Sequence, residues 1–379
     1  MIYADFNGSY PLRESVKEYL IKRMDGPFGN PNAIHSLGRD LNNGLKKCRA
    51  ITAQKFGAQD HQVIFNSGSS EGISQLFDSL LFEKSGVILT SDLEHAAVHE
   101  ALDFYERQGF QIKKIDVLSN GVVDLSKIKS FLEKNNQEIS LACFMAINNE
   151  TGVIQPYEEI AQACNDHNVS YLCDTTQLMG KLPFDFSESN LQYAICSAHK
   201  IGSLPGAGFI MAKNPESLRP FIFGGGQEFG LRGGTQNYLA IETIAVVLND
   251  INLGKKTIDK LHSKQKEFES KILKEVPGSQ IIGFKAPRVP GTTLFAIPGI
   301  HGQGTQIELE SRDIFVTTSS ACSDNEPETS KTLKAMNIED SVGRSVIRIS
   351  LAYGHEKAYD EIYSTIIKAF NRLSKVRYT

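Results

Sequence analysis

The stretch QVIFNSGSSEGISQLFDSLLFEKSGVILTS, residues 62–91, decides the architecture. Its apolar run QVIFNS (62–67) has the length of a strand. A small polar turn follows, and 70–82 then carries apolar residues at helical spacing. GVILTS (86–91) is a second strand-like run. Strand, turn, helix and strand in this order form a unit of parallel sheet with its crossover helix. The same alternation continues outward. A helix is expected over 95–108, a strand over 110–117, a helix over 124–134, a strand over 139–147 and a helix over 157–168. VSYLCD (169–174) and YAICS (193–197) read as further strands. The pattern predicts an α/β fold with a parallel, doubly wound sheet. In such sheets ligands collect at the carboxyl ends of the strands.

Past residue 235 the pattern changes. One long helical stretch is expected over 236–275. Strand-like runs then stand at 292–297, 315–319 and 347–351, with helices near 328–337 and over 357–374. We expect a large α/β domain over 13–250 and a smaller α+β domain from 1–12 and 251–379.

Composition excludes several classes. The 379 residues are 41% hydrophobic and 22% charged, as in an ordinary globular protein. A formal net charge of −4 supplies no basic stripe for nucleic acid and no polybasic membrane patch. No run approaches the ~18 apolar residues of a membrane helix. MIYADFNGSYPLRE shows no basic segment before an apolar core, so no signal peptide is expected, and cysteines this sparse make a reducing cytoplasm the expected setting. The six cysteines are too sparse for a disulfide scaffold and contain no CxxC pair, so zinc spacing is absent.

The expected strand ends carry uncommon residues. Asn66-Ser67-Gly68-Ser69-Ser70-Glu71-Gly72 follows the first strand. Such a turn can cradle an anion on backbone N–H groups and hydroxyls, or simply cap a helix. His95 follows the second. His95 and His99 share a helix face at i, i+4, but Glu94 stands on the wrong side for a His-Glu-x-x-His zinc site. Asn148-Asn149-Glu150 follows 139–147, and Asp174 ends 169–174. A carboxylate at a buried strand end is costly unless it meets a cation or serves as a cap. Lys200 follows YAICS and precedes a glycine-rich turn. Half-desolvated, such a lysine becomes a nucleophilic amine; otherwise it is a solvated surface group. A phosphate cradle, a histidine, a buried aspartate and a reactive lysine at successive strand ends are the parts of a pyridoxal phosphate site. There is no GxxxxGK[ST], and no GxGxxG after the first strand.

With these residues assembled, the chain resembles the cysteine desulfurases of the class V aminotransferase superfamily, in their nitrogen-fixation and iron–sulfur-assembly subgroup. FGNPNAIHSLGR (28–39), FNSGSSEG (65–72), EHAAV (94–98), NNETGVIQP (148–156), DTTQ (174–177), SAHKIGSLPGAG (197–208), GGGQEFGLRGGTQN (224–237), SSACSDNEP (319–327) and IRISL (347–351) carry the resemblance in order. It implies the aspartate-aminotransferase-type fold of pyridoxal phosphate enzymes, with a mainly parallel seven-stranded sheet in the large domain. It implies Lys200 as the lysine that bonds the cofactor aldehyde, Asp174 as partner of the ring nitrogen and Gln177 as donor to the ring hydroxyl. His95 resembles the stacking histidine; Ser69, Ser70, Ser197 and His199 resemble phosphate ligands. Thr235 resembles a phosphate ligand given across a homodimer. The resemblance also places Asn149 beside the cofactor, and Asn149 with Arg348 resembles the grip on the substrate carboxylate, for which a guanidinium fork is suited. A surface salt bridge is the plain alternative for Arg348.

Cys322 resembles the cysteine that takes sulfur from L-cysteine as a persulfide and passes it to an acceptor protein, with alanine as co-product. It lies in a small polar run without apolar periodicity, hence a loop. The other five cysteines lie in regular runs and read as buried, inert thiols. Lys200 would move the substrate α-proton, and His95 or another group would take the Cys322 proton. Some positions depart from the family pattern. Asp5-Phe6-Asn7-Gly8-Ser9 stands for Asp-Asn-Ala-Ala-Thr, Ser69-Ser70 for Ala-Thr, and Ala352 for Gly. HGQGTQIELESRD, before the cysteine loop, lacks the apolar character expected there. Two other readings stay open: another lyase or transaminase of this fold, such as a selenocysteine lyase, and a silent scaffold or sulfur-relay protein.

Overall fold

Seven strands form the central sheet in the order Val63–Asn66, Gly208–Ala212, Tyr193–Ser197, Tyr171–Asp174, Ile139–Met145, Val87–Thr90 and Gln111–Lys114. The structure is a computed structural model and describes residues 1–318 and 329–375. Gly208–Ala212 is antiparallel to both of its neighbours, and the other pairings are parallel. The expected α/β sheet is therefore present and mainly parallel, and six of its strands end at the same edge.

Strand periodicity divides the core. Phe65, Leu89, Phe144 and Cys173 pack on one face with Leu41, Ile128, Ile160 and Ile241. Ile64, Ile88, Leu141 and Ile195 pack on the other with Ile73, Leu76, Val98 and Leu102. The helix Ser69–Leu81 shows how the sequence achieves this. Ile73, Leu76, Phe77 and Leu80 lie at helical spacing and are all buried. Each such side chain contributes about 1.5–3 kcal/mol by leaving water. Gln111–Lys114 is the sheet edge, and its lysines face solvent, which discourages pairing with other chains.

A three-stranded antiparallel sheet joins Val346–Ser350, Thr292–Ala296 and Gln280–Ile281. Ile2–Tyr3 pairs in parallel with Ile314–Phe315. Ala4 and Phe6 share a core with Leu261, Phe268, Phe295, Ile347 and Ile362. A smaller cluster, including Leu93, Met145, Leu294, Leu333 and Val346, ties the strand-end loops to the carboxyl-terminal strands.

Several elements depart from the sequence reading. The stretch expected as one helix over 236–275 is two, Tyr238–Asp250 and Lys255–Glu275. Ile251 turns extended and buries its side chain, and Asn252 Oδ1 accepts from Gly254 N at 3.1 Å, closing the break. Gly208–Ala212, read as part of a glycine-rich turn, is a fully buried strand. The helices Glu14–Met24, Ser36–Lys55 and Gly302–Glu310 were not expected. The strand expected over 315–319 is only Ile314–Phe315 plus a bridge from Thr317 to Arg348. Among the described residues no helix is long and apolar enough to cross a membrane.

Candidate active site

The strand ends at the common edge bring the expected residues together. Asp174 is the last residue of Tyr171–Asp174 and is buried. Its Oδ1 accepts from Thr176 N at 2.9 Å, and it makes no salt bridge among the described residues. Thr176 Oγ1 meets Ser69 Oγ at 2.7 Å, which links this strand end to the turn after Val63–Asn66. In that turn Gly68 has φ of 146°, and a Cβ there would approach Ser197 Oγ to 3.0 Å. Gly208 opposes it, since a Cβ at 208 would lie 2.6 Å from Gly68 Cα. Two glycines thus let two backbones close on a small space edged by Ser69 and Ser197. Ser70, next in the helix, is exposed.

Lys200 ends a short helical turn after Tyr193–Ser197. Its Nζ donates to Asn7 O at 2.9 Å and to Gly8 O at 2.5 Å. Desolvation lowers its pKa to about 8; Arg348 adds to this, while Asp5 and Asp174 oppose it. His199 is lowered to about 4 by desolvation and by Lys200, so its ring is neutral at pH 7. Its Nδ1 lies 3.2 Å from Ser9 Oγ. His95 caps the helix Ala96–Arg107 through Nδ1, which accepts from Ala97 N at 3.1 Å. Its pKa is lowered by desolvation; Asp174 pulls the other way and Lys200 adds to the lowering.

Arg348 stands in the middle of Val346–Ser350 and is buried. Nη1 donates to Asn149 O at 3.0 Å and Nη2 to Asp5 Oδ1 at 2.7 Å. Its Nε is buried with no partner among the described residues. Asn149 thus meets Arg348 through its backbone carbonyl. Thr235 is exposed and makes no hydrogen bond to this cluster. Cys322 lies outside the described residues. Both described flanks of its segment are fastened to this site: Arg348 N donates to Thr317 O at 2.7 Å, and Ser330 Oγ donates to Glu150 Oε2 at 2.6 Å.

The structure adds residues that the sequence reading missed. Lys181 Nζ donates to Asn7 Oδ1 at 2.5 Å and also to Gln177 Oε1. Gln177 Nε2 in turn donates to Asn7 O at 3.0 Å. Burial holds the Lys181 pKa well below its usual value, and Lys200 and Arg348 reinforce this. Its position four residues past Gln177 was the available signal. Asn7 was noticed only as a departure, yet its side chain also donates to Thr292 Oγ1 at 3.1 Å and Asn149 O at 3.0 Å. Glu94, beside His95, is a buried carboxyl whose pKa is pushed well up by burial.

These residues fit pyridoxal phosphate. A buried carboxylate without a cationic partner suits a protonated ring nitrogen. A glycine-permitted cradle edged by hydroxyls, at the N-terminus of Ser69–Leu81, suits a phosphate. A desolvated amine within electrostatic reach of that carboxylate suits an aldehyde.

Comparison with known proteins agrees. The family model described as "Aminotransferase class-V" matches residues 2–359. A "Cysteine desulfurase" of Klebsiella pneumoniae is 30% identical over 374 residues, spanning 98% of this chain and 93% of that protein. A solved structure described as "NIFS-LIKE PROTEIN" superposes with a TM-score of 0.89 at 28% identity, covering 98% of this chain and 100% of that one. Another, "SspA in complex with cysteine", gives a TM-score of 0.82 at 25% identity, with 93% and 99% covered. The chain belongs to the class-V aminotransferase family, whose members use pyridoxal phosphate and whose relatives of this chain include cysteine desulfurases.

Proposed function

We propose that this protein is a pyridoxal-phosphate-dependent cysteine desulfurase that moves sulfur from L-cysteine to Cys322 and then to an acceptor protein of iron–sulfur assembly or thio-modification. The observation that carries this reading is Lys200, whose Nζ is held by Asn7 O and Gly8 O within electrostatic reach of Asp174 and Arg348 and whose pKa burial lowers to about 8. When bound, pyridoxal phosphate supplies an electron sink that lets the substrate α-proton leave.

The chain's own groups do the rest. Asp174 holds a proton on the ring nitrogen, and Gln177 donates to the ring hydroxyl. Ser69, Ser70, Ser197 and His199 bind the phosphate, with Thr235 reaching the partner subunit's site. His95 stacks on the ring face. Arg348, with Asn149, binds the substrate carboxylate. Lys200, a free base over much of its population near pH 8, takes the α-proton and returns one. His95, neutral because desolvation lowers its pKa, accepts the Cys322 thiol proton. The Cys322 thiolate then attacks the substrate sulfur. An S–S bond forms as the carbon–sulfur bond breaks, and the carbon fragment keeps the electron pair, takes up a proton and leaves as alanine.

Three wider statements accompany this reading. A homodimer is supported by Phe221, Phe223 and Phe229, exposed apolar side chains around the glycine-rich segment that carries Thr235. A reducing, cytoplasmic setting suits a thiol that must stay free. The large domain over 13–250 and the small one from 1–12 and 251–379 meet at the site, with Arg348 and Cys322 on the small one. The test is to measure alanine and sulfur released from L-cysteine by the native protein and by Cys322→Ala. Loss of sulfur transfer in the variant supports the reading. Undiminished sulfur release would instead favour a lyase that needs no protein thiol.

A further inference from the structure

We infer that Asp5 is a specificity-determining residue whose carboxylate rests on the Arg348 fork and must be displaced by the carboxylate of the incoming amino acid. This rests on the reading of Arg348 as the substrate-carboxylate site. A guanidinium offers a side-on edge, Nε with Nη2, to a bidentate carboxylate. Here that edge is half used. Nη2 donates to Asp5 Oδ1 at 2.7 Å, while Nε is buried and has no partner among the described residues. Nη1 is held apart from this by Asn149 O at 3.0 Å. A buried N–H without an acceptor is costly, and a ligand carboxylate on Nε and Nη2 would remove that cost. It would also take the place of Asp5 Oδ1.

The local backbone shows why Asp5 reaches Arg348. Phe6 N donates to Ser350 O at 3.2 Å and Ser350 N to Ala4 O at 2.8 Å, so Asp5 lies beside the strand that bears Arg348. Gly8 N and Ser9 N fold back on Asp5 O at 3.0 and 3.2 Å. That turn brings Gly8 over the Asp5 side chain. A Cβ on Gly8 would overlap the Asp5 carboxylate, whose Oδ2, Cγ and Oδ1 are the three nearest atoms. Gly8 has no positive φ, so its backbone would accept alanine, and the carboxylate is the obstacle. The glycine at 8, one of the departures from the family pattern, is what leaves room for Asp5 on the fork. The Asp5 side chain is 25% exposed and so has a route off Arg348 toward solvent.

The consequence is discrimination. A ligand with two carboxylate oxygens gains both Nε and Nη2 and can displace Asp5. A ligand lacking that carboxylate cannot. The test uses the holoenzyme, with L-alanine as the carboxylate probe and L-alaninamide as the control, by titration calorimetry. Asp5→Asn is expected to bind L-alanine about fivefold tighter, with no gain for alaninamide. Gly8→Ala keeps the charge but pushes it off Nη2, and is expected to shift binding the same way. For L-cysteine both variants should lower KM. If Asp5→Asn binds L-alanine equally or more weakly, Asp5 orients Arg348 rather than competing for it, and the inference is overturned. Arg348→Gln separates the two levels: it should erase the preference for acid over amide. A preference that survives in Arg348→Gln overturns the Arg348 assignment itself, whereas its loss there beside an unresponsive Asp5→Asn overturns only the role of Asp5.

Discussion

Ser330 Oγ donates to Glu150 Oε2 at 2.6 Å, joining the described chain just after the Cys322 segment to the loop that carries Asn149. Burial raises the Glu150 pKa, and the Ser330 hydroxyl partly offsets that. Ser330 also caps the helix Lys331–Ala335 by accepting from Leu333 N at 3.3 Å. One hydroxyl thus sets both the start of that helix and its distance from Asn149.

Ser330→Ala should therefore slow sulfur transfer to Cys322 by about three- to tenfold, the equivalent of one lost hydrogen bond of roughly 1 kcal/mol. Substrate binding should change little, because Arg348 is held from the other flank. Single-turnover labelling of the Cys322 persulfide measures this. An unchanged rate would mean that the flank does not govern delivery.

Lys200 makes a pH prediction. Its folded pKa, about 8, is depressed from 10.5. Only the free amine attacks an aldehyde, so the reactive fraction rises with pH through about 8 and then levels. The rate at which cofactor-free protein captures pyridoxal phosphate should follow that curve. Linkage has the same sign: between about 8 and 10.5 the unfolded chain binds more protons at this lysine, so its contribution to the stability of the cofactor-free protein rises with pH. A capture profile still climbing near 10.5 would show an ordinary, solvated lysine.

Much of this site was legible because polar residues stand at or just beyond the ends of buried strands, where apolar packing does not account for them. Asp174 and Lys200 stand out on that ground alone. The glycines that stand out as turn signals near 202–208 hid a strand, because Gly208 begins a run in which every residue is buried. Lys181 was missed for a different reason. Its surroundings come from Asn7, 174 residues away, and no local pattern records that approach. Asp5 likewise acquires its partner Arg348 only through long-range strand alignment.

Lys181 carries its own expectation. By donating to Gln177 Oε1 it fixes which end of that amide presents N–H groups. Lys181→Met should leave the fold intact, because it also removes a cation that burial disfavours. Gln177 would then be oriented only by its Nε2 bond to Asn7 O. Affinity for pyridoxal phosphate should fall about tenfold by equilibrium dialysis, and Gln177→Ala should add little to that loss in a double variant. Full additivity would show that the two residues act separately.

Thiol chemistry gives the last prediction. Of six cysteines, Cys48, Cys143, Cys164, Cys173 and Cys196 are free and buried. Burial raises the thiol pKa of Cys48 and Cys164 to about 12 and pushes Cys143, Cys173 and Cys196 up as well. Near pH 7.5 none of them supplies appreciable thiolate, the form that reacts. Native protein treated with an aromatic disulfide reagent should therefore release one fast equivalent per chain, from Cys322. In Cys322→Ala that phase should vanish, and the remaining thiols should react only after denaturation. After incubation of the holoenzyme with L-cysteine, an alkylating reagent should cap the outer sulfur of the Cys322 persulfide, and a reductant should then cleave the S–S bond, release the capped sulfur and restore the fast thiol. A second fast thiol in the native variant would show that one of the buried five opens to solvent. The assignment of sulfur transfer to Cys322 alone would then fall.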